Sequence, residues 1–192
     1  MPFNINDFIS RGLTAGGARP SLFQVTLGIP PVISGIVPDS ISKFTFTCRA
    51  SSAPASIIGN VDVGYYGRTI KLAGDRTFND WSVSVMNDED FLVRDTFEAW
   101  HNNINSIISN LKLVSNNDYK GNATIEQFSK TGNVIKAYNI WGLFPLNVGE
   151  MGLDWSTTNQ VQTFDVTFAY DYFEPIVLNN STSINTEATP GG

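Results

Sequence analysis

Residues 164–172 alternate without a break: Phe164, Val166, Phe168, Tyr170 and Tyr172 fall on one side, and Asp165, Thr167, Ala169 and Asp171 fall on the other. An extended strand sorts its neighbours in this way, because successive side chains point to opposite faces of the sheet. One face is apolar and demands cover, so the segment predicts a half-buried strand. The pattern recurs with Phe44, Phe46 and Cys48 against Thr45, Thr47 and Arg49. It appears again with Val61, Val63 and Tyr65 against Asp62 and Gly64, and with Trp81, Val83 and Val85 against Ser82 and Ser84. Further strands are predicted at 22–27, 68–73, 123–128 and 134–143, with Gly and Pro marking the turns between them. The chain therefore reads as mainly β, a barrel or a sandwich.

One segment changes period. Val93, Phe97, Trp100, Ile104, Ile107 and Leu111 recur at spacings of three and four, which predicts a single amphipathic helix over about 89–111. Asn87 or Asp88 is expected to cap it, and Glu89 and Asp90 suit the positive end of the helix dipole. Its stripe would cover a sheet face, each large side chain contributing about 1.5 to 3 kcal/mol.

The composition narrows the chemistry. The chain has 192 residues, 42% of them hydrophobic, with twelve Lys and Arg against eighteen Asp and Glu and a net charge of -6. That length suits one compact unit, and that balance argues against a surface built to neutralise phosphates. No apolar run approaches the roughly 18 residues a membrane span requires, so no membrane insertion is expected. The first twenty residues carry no secretory pattern. Cys48 is the single cysteine and His101 the single histidine, which removes disulfide frameworks, thiolate zinc sites and multi-imidazole metal sites. No metal or other cofactor is predicted.

The remaining motifs favour plain structural accounts. The run Asn87-Asp88-Glu89-Asp90 lacks the spacing of an EF-hand loop, and helix capping explains it. No G-x-S-x-G turn accompanies His101, which reads as a surface or half-buried structural residue. Cys48, alongside Phe44 and Phe46, reads as a core thiol. Ala73-Gly74-Asp75-Arg76 lacks the Walker spacing and is read as a tight turn carrying an Asp-Arg pair, with Arg76 alternatively reaching Asp80 or a neighbouring subunit. No catalytic residue is predicted, although a pair of carboxylates assembled by the fold is an enzyme reading that sequence leaves open. A ligand-binding barrel with an apolar cavity is the other rival.

Four stretches carry a family resemblance: ARPSLFQV (18–25), FTFTCRASSAPASII (44–58), VDVGYYGRTIKLAGDRTFNDWSVSVMND (61–88) and GLFPLNVGEMGLDWSTTNQVQTFDVTFAYDYFE (142–174). Together they resemble the tail tube proteins of contractile-tailed bacteriophages, a family similar in fold to type VI secretion tube proteins. The departures lie at 28–40, at 105–120 and after 175. The resemblance implies two roughly orthogonal antiparallel sheets in a barrel-like module with one short flanking helix. The domain would span 19–175, between a flexible N-terminal arm (1–18) and a polar, disordered C-terminal tail (176–192).

It further implies a virion protein made in the host cytoplasm, forming stacked hexameric rings that conduct DNA into the host when the sheath contracts. A baseplate tube initiator, or a tube subunit of a related injection particle, is the alternative. The implied partners are copies of the chain, the tail sheath protein, baseplate tube-initiating proteins, a tape measure protein in the lumen and a tail terminator, with DNA as transient cargo. Arg19, Arg68, Asp75, Arg76 and Asp80 are the expected subunit-contact residues. The non-core strand faces would line the bore, with Asp62, Gly64, Asp165, Thr167 and Asp171 as candidates. An acidic bore repels phosphates, so cargo slides without sticking.

Overall fold

The computed structural model describes residues 16–34, 39–112, 114–115 and 118–176. The expected arm therefore lies almost entirely, and the expected tail all but its first residue, outside the described residues. The order of elements is β1 (Phe23–Gly28), α1 (Pro31–Ser34), α2 (Ser40–Thr47), β2 (Cys48–Ser51), β3 (Ser56–Tyr65), β4 (Arg68–Phe78), β5 (Trp81–Met86), α3 (Leu92–Ile104), β6 (Gly121–Phe128), β7 (Val134–Val148), β8 (Thr163–Ala169) and β9 (Tyr172–Ile176).

The long strand β7 belongs to two antiparallel sheets. Its first part pairs with β6 and β9, and β1 extends that sheet beyond β6. Its last part, Phe144 to Val148, pairs instead with β8, which pairs with β5, which pairs with β2. Gly142, at φ +70°, lies just before the changeover. A Cβ there would fall 2.0 Å from Asp171 Oδ2, so only glycine fits both the backbone and the space.

The core fills the gap beneath these sheets. Val83, Val85, Phe164, Val166 and Phe168 are buried, as their alternation predicts, and Val93, Phe97 and Trp100 of α3 pack onto them. Phe97 meets Phe44 edge-on at 5.8 Å and Phe168 at 5.7 Å, and Trp81 stacks on Phe168 at 5.4 Å. Both buried indoles are satisfied: Trp100 Nε1 donates to the Tyr119 carbonyl at 2.7 Å and Trp81 Nε1 to the Ser52 carbonyl at 2.9 Å. Such burial contributes about 1.5 to 3 kcal/mol per large side chain.

Several expectations are corrected. The described residues contain three helices, where one was expected. The strand expected around Phe44 is the helix α2, with β2 starting only at Cys48. Phe44 and Phe46 are two residues apart, so the helix turns them to different sides: Phe44 is buried and Phe46 is 83% exposed. Asp39 precedes α2, and Phe44, Thr45, Phe46 and Thr47 alternate apolar with hydroxyl side chains at its end, a pattern that mimics a strand by period alone. Cys48 is half-buried, and burial pushes its thiol up to about 12.

Helix α3 stops at Ile104, short of the expected 111, and Ile107 and Leu111 are exposed. Its capping also differs. Phe91 occupies the position before the helix in a left-handed conformation, and Asp90 Oδ1 accepts from the Leu92 amide at 3.1 Å. Asn87 does not cap; its amide group bonds Met151 Sδ and Gln162 Oε1. The alternation of 164–172 is broken after Ala169, so Tyr172 begins a separate strand and is exposed.

Candidate subunit interface

The sheet β2-β5-β8-β7 has two contrasting faces. Its inner face is the apolar core, and its outer face carries Ala50, Ser82, Ser84, Asp165, Thr167 and Asn147, which are small apart from one carboxylate and one amide. Register brings them together: Ser84 pairs with Ala50 and Asp165, and Thr167 pairs with Ser82 and Asn147. Ser82 Oγ lies 3.3 Å from Thr167 Oγ1. Glu150 adds a second carboxylate to the shallow depression over this face, and none of the residues lining it is basic. Within the described residues, β2 at one edge and the Phe144–Val148 part of β7 at the other have no further strand hydrogen-bonded to them. Each edge therefore presents backbone donors and acceptors that another strand would satisfy, except at Pro145, which has no N–H and whose carbonyl lies 3.0 Å from His101 Nε2.

The ribbon β3–β4 behaves differently. It is a separate two-stranded sheet whose residues are almost all exposed. Val61 pairs with Leu72 and Val63 with Ile70, giving an apolar face; Asn60, Asp62, Lys71 and Ala73 occupy the other. Tyr66 and Gly67 both take positive φ, as a type I′ hairpin turn requires, so the turn lies here. The turn expected at Ala73-Gly74-Asp75-Arg76 is corrected: β4 runs through it to Phe78, and Gly74 lies opposite Gly59 at a register shift. A Cβ on Gly74 would come within 3.2 Å of the Gly59 backbone, so the glycine marks close strand approach. The expected Asp75–Arg76 and Arg76–Asp80 pairs are not among the ion pairs of the described residues, which join Lys43 to Asp88 and Asp90, Arg94 to Glu98, and Lys120 to Asp171.

Comparison with known proteins decides what such a chain is. The family model described as phage tail tube protein matches residues 18–175. The chain is 38% identical over 170 residues to the tail tube protein gp19 of Enterobacteria phage T4, covering 88% of this chain and 98% of that one. The chain belongs to the phage tail tube protein family. It is thus a structural protein of the contractile phage tail, and not an enzyme. Its fold recurs in the baseplate structure of an anti-feeding prophage, at TM-score 0.59 and 12% identity, over 83% of this chain and 95% of that one. It recurs also in the sheath-tube complex of an extracellular contractile injection system, at TM-score 0.54 and 14% identity, over 93% and 100% of the two chains.

On this tail tube fold the candidate residues separate into groups. Asp165 and Thr167 share the outer sheet face. Asp62, Arg68, Asp75 and Arg76 all sit on the exposed ribbon, so Asp62 is remote in register from the other bore candidates, as is Gly64. Asp171 lies between β8 and β9, where Lys120 Nζ donates to it at 2.6 Å and its carboxylate rests against Gly142. Asp80 lies in the exposed turn between β4 and β5; burial, and secondarily this carboxylate, raises the Tyr170 hydroxyl above its usual range. Arg19 is exposed ahead of β1, and its carbonyl accepts from the Leu22 amide. His101 is half-buried, with Nε2 3.0 Å from the Pro145 carbonyl.

Lys43 ties α2 to the loop before α3 by pairing with Asp88 and Asp90, and this holds both carboxyls below the usual range and raises the Lys43 amine. Two features escaped sequence reasoning. Phe46 looked like core, and Leu153 and Trp155, on the loop joining β7 to β8, stand in solvent. The signal for the latter was a large aromatic stranded among Asp, Ser, Thr and Asn in residues 154–159. Among the described residues, no cluster of three or more His, Cys, Asp or Glu is placed to hold a metal, and no helix is long and apolar enough to cross a membrane.

Proposed function

We propose that this protein builds the inner tube of a phage tail from closed rings of six copies, each ring made by strand pairing between the β2 edge of one copy and the β7 edge of the next. The observation that carries this reading is the sheet β2-β5-β8-β7: apolar within, small and acidic without, and unpartnered along both edges. Edges of that kind invite aggregation unless a specific strand meets them. A heterologous contact repeated by rotation satisfies both edges of every copy and leaves none over.

The outer face then lines the bore. Ser82, Ser84 and Thr167 offer no bulk, and Asp165 and Glu150 supply negative charge, so DNA passing through meets repulsion in place of adhesive contacts. The ribbon β3–β4 takes the second task. A lone hairpin is marginal in water, and the apolar face of Val61, Val63, Ile70 and Leu72 is stabilised at about 25 cal/mol per Å² once another copy covers it. Arg68, Asp75, Arg76, Arg19 and Asp80 are assigned to contacts between copies. Ring-on-ring stacking is head-to-tail and open, so the tube grows until other proteins end it. Its partners in the tail are a surrounding sheath, a baseplate initiator, a terminator and a tape measure in the bore.

Electron microscopy of purified protein, with and without baseplates, tests the reading. Uniform hollow rods with six-fold cross-sections are expected. A chain that stays solitary beside its baseplate at high concentration would refute it.

A further inference from the structure

Edge pairing between copies, the proposed function on which this inference rests, fixes what meets at one end of the sheet. The registers place Cys48 beside Val85 and Val85 beside Phe164, while the Gly149 amide donates to the Asp165 carbonyl at 2.7 Å. The start of β2 and the end of β7 therefore lie at the same end of the sheet, on opposite edges. Strands β2, β5, β8 and β7 alternate in direction, so β7 runs antiparallel to β2. Rotation about a ring axis carries one edge to the other without exchanging the ends of the sheet. The junction between copies is then antiparallel, with the Val148 end of β7 in one copy at the same end of the seam as the Cys48 start of β2 in the next.

Each of those strand ends carries an uncovered aromatic. Two residues before β2, Phe46 is 83% exposed at the end of α2. Seven residues beyond β7, Trp155 is fully exposed, with Leu153 beside it. The loop bearing Trp155 is held in shape. Asp154 accepts from the Ser156 amide at 2.9 Å and from the Thr157 hydroxyl at 3.1 Å; Gln162 Nε2 donates to the Gly152 carbonyl; the Asn87 amide joins Gln162 to Met151. A rigid aromatic is the residue type that anchors protein contacts, because it brings large area at low entropic cost. We infer that Leu153 and Trp155 of one copy dock on Phe46 of the adjacent copy in the ring, an apolar clasp at one end of the strand seam.

Two cysteine pairs separate this inference from the reading it rests on, both in a Cys48→Ser background and both treated with a short bismaleimide in assembled tubes. Ala50→Cys with Asn147→Cys spans the seam, and Phe46→Cys with Trp155→Cys spans the clasp. Both pairs are expected to give ladders of covalent multimers that free subunits do not give. A ladder from the seam pair without one from the clasp pair overturns the clasp and leaves the seam standing. Absence of both ladders overturns the seam and the clasp together.

Because the clasp variants remove the contact they probe, the native aromatic is also followed, in a Trp141→Phe background that leaves Trp155 as the exposed indole beside buried Trp81 and Trp100. Acrylamide quenching of that indole should fall severalfold on assembly, and Trp155→Ala should reduce tube yield about tenfold, the effect of 1.4 kcal/mol per contact. Unchanged quenching in the tube overturns the inference.

Discussion

Strand β8 and the ribbon β3–β4 are written in the same alternating code and meet opposite fates. Phe164, Val166 and Phe168 are buried under α3, while Val61, Val63, Ile70 and Leu72 stand in solvent on a hairpin that projects from the sheets. Alternation decides which side chains share a face. It does not decide what covers that face: the same chain covers it in β8, and in the proposed tube another copy covers it on the ribbon. A hydrophobic face left open on a monomer is information about assembly.

This contrast can be broken or sharpened at several points. The largest effect is expected inside β8: Phe168→Ala removes the ring that Trp81 and Phe97 pack against and should cost about 3 to 5 kcal/mol, read as a lowered urea midpoint. On the ribbon, Val63→Asp with Ile70→Asp should reduce tube yield by an order of magnitude or more, while the melting of the free subunit moves by no more than about 0.5 kcal/mol equivalent. Equal loss of subunit stability in both variants would erase the distinction between the two faces.

A smaller effect is expected on the outer face. Asp165→Lys with Glu150→Lys should leave folding and tube yield intact but make tubes retain DNA, with retention falling steeply as salt rises. The smallest concerns Lys43. Because the folded carboxyls of Asp88 and Asp90 titrate below the usual 3.8, their contribution is present above that value and is lost as pH falls through the lowered folded values. Thermal melts between pH 5 and about 2 should therefore show a slope that Lys43→Met flattens.

Much of the architecture was legible because period survives burial: β5, β6 and β8 fall where alternation places them, and Val93, Phe97 and Trp100 mark α3; β7 was legible only to Leu143, and its continuation through Phe144 to Val148, the part that pairs with β8, was not. The misreadings have physical causes. Within residues 44–47, apolar and hydroxyl side chains alternate, so period two points to a strand; tertiary packing of Phe44 on Phe97 makes it helix instead. Gly74 resembled a turn because glycine serves both turns and close strand approach. Ile107 and Leu111 extended the helical spacing into a segment where the backbone had already left the helix. The candidate interface was the least legible, since Asp165 and Asp171 share a strand pattern yet one faces outward from the sheet and the other is held by Lys120. Pairing across strands, invisible in a single sequence, makes that difference.

The central claim is that the two free edges of one sheet are completed by copies of the same chain. Amide hydrogen exchange at Cys48 to Ser51 and at Leu146 to Val148, compared between free subunits and assembled tubes, tests it most directly. Both strands should gain strong protection on assembly. Amides there that exchange as fast in the tube as in the free subunit would contradict it.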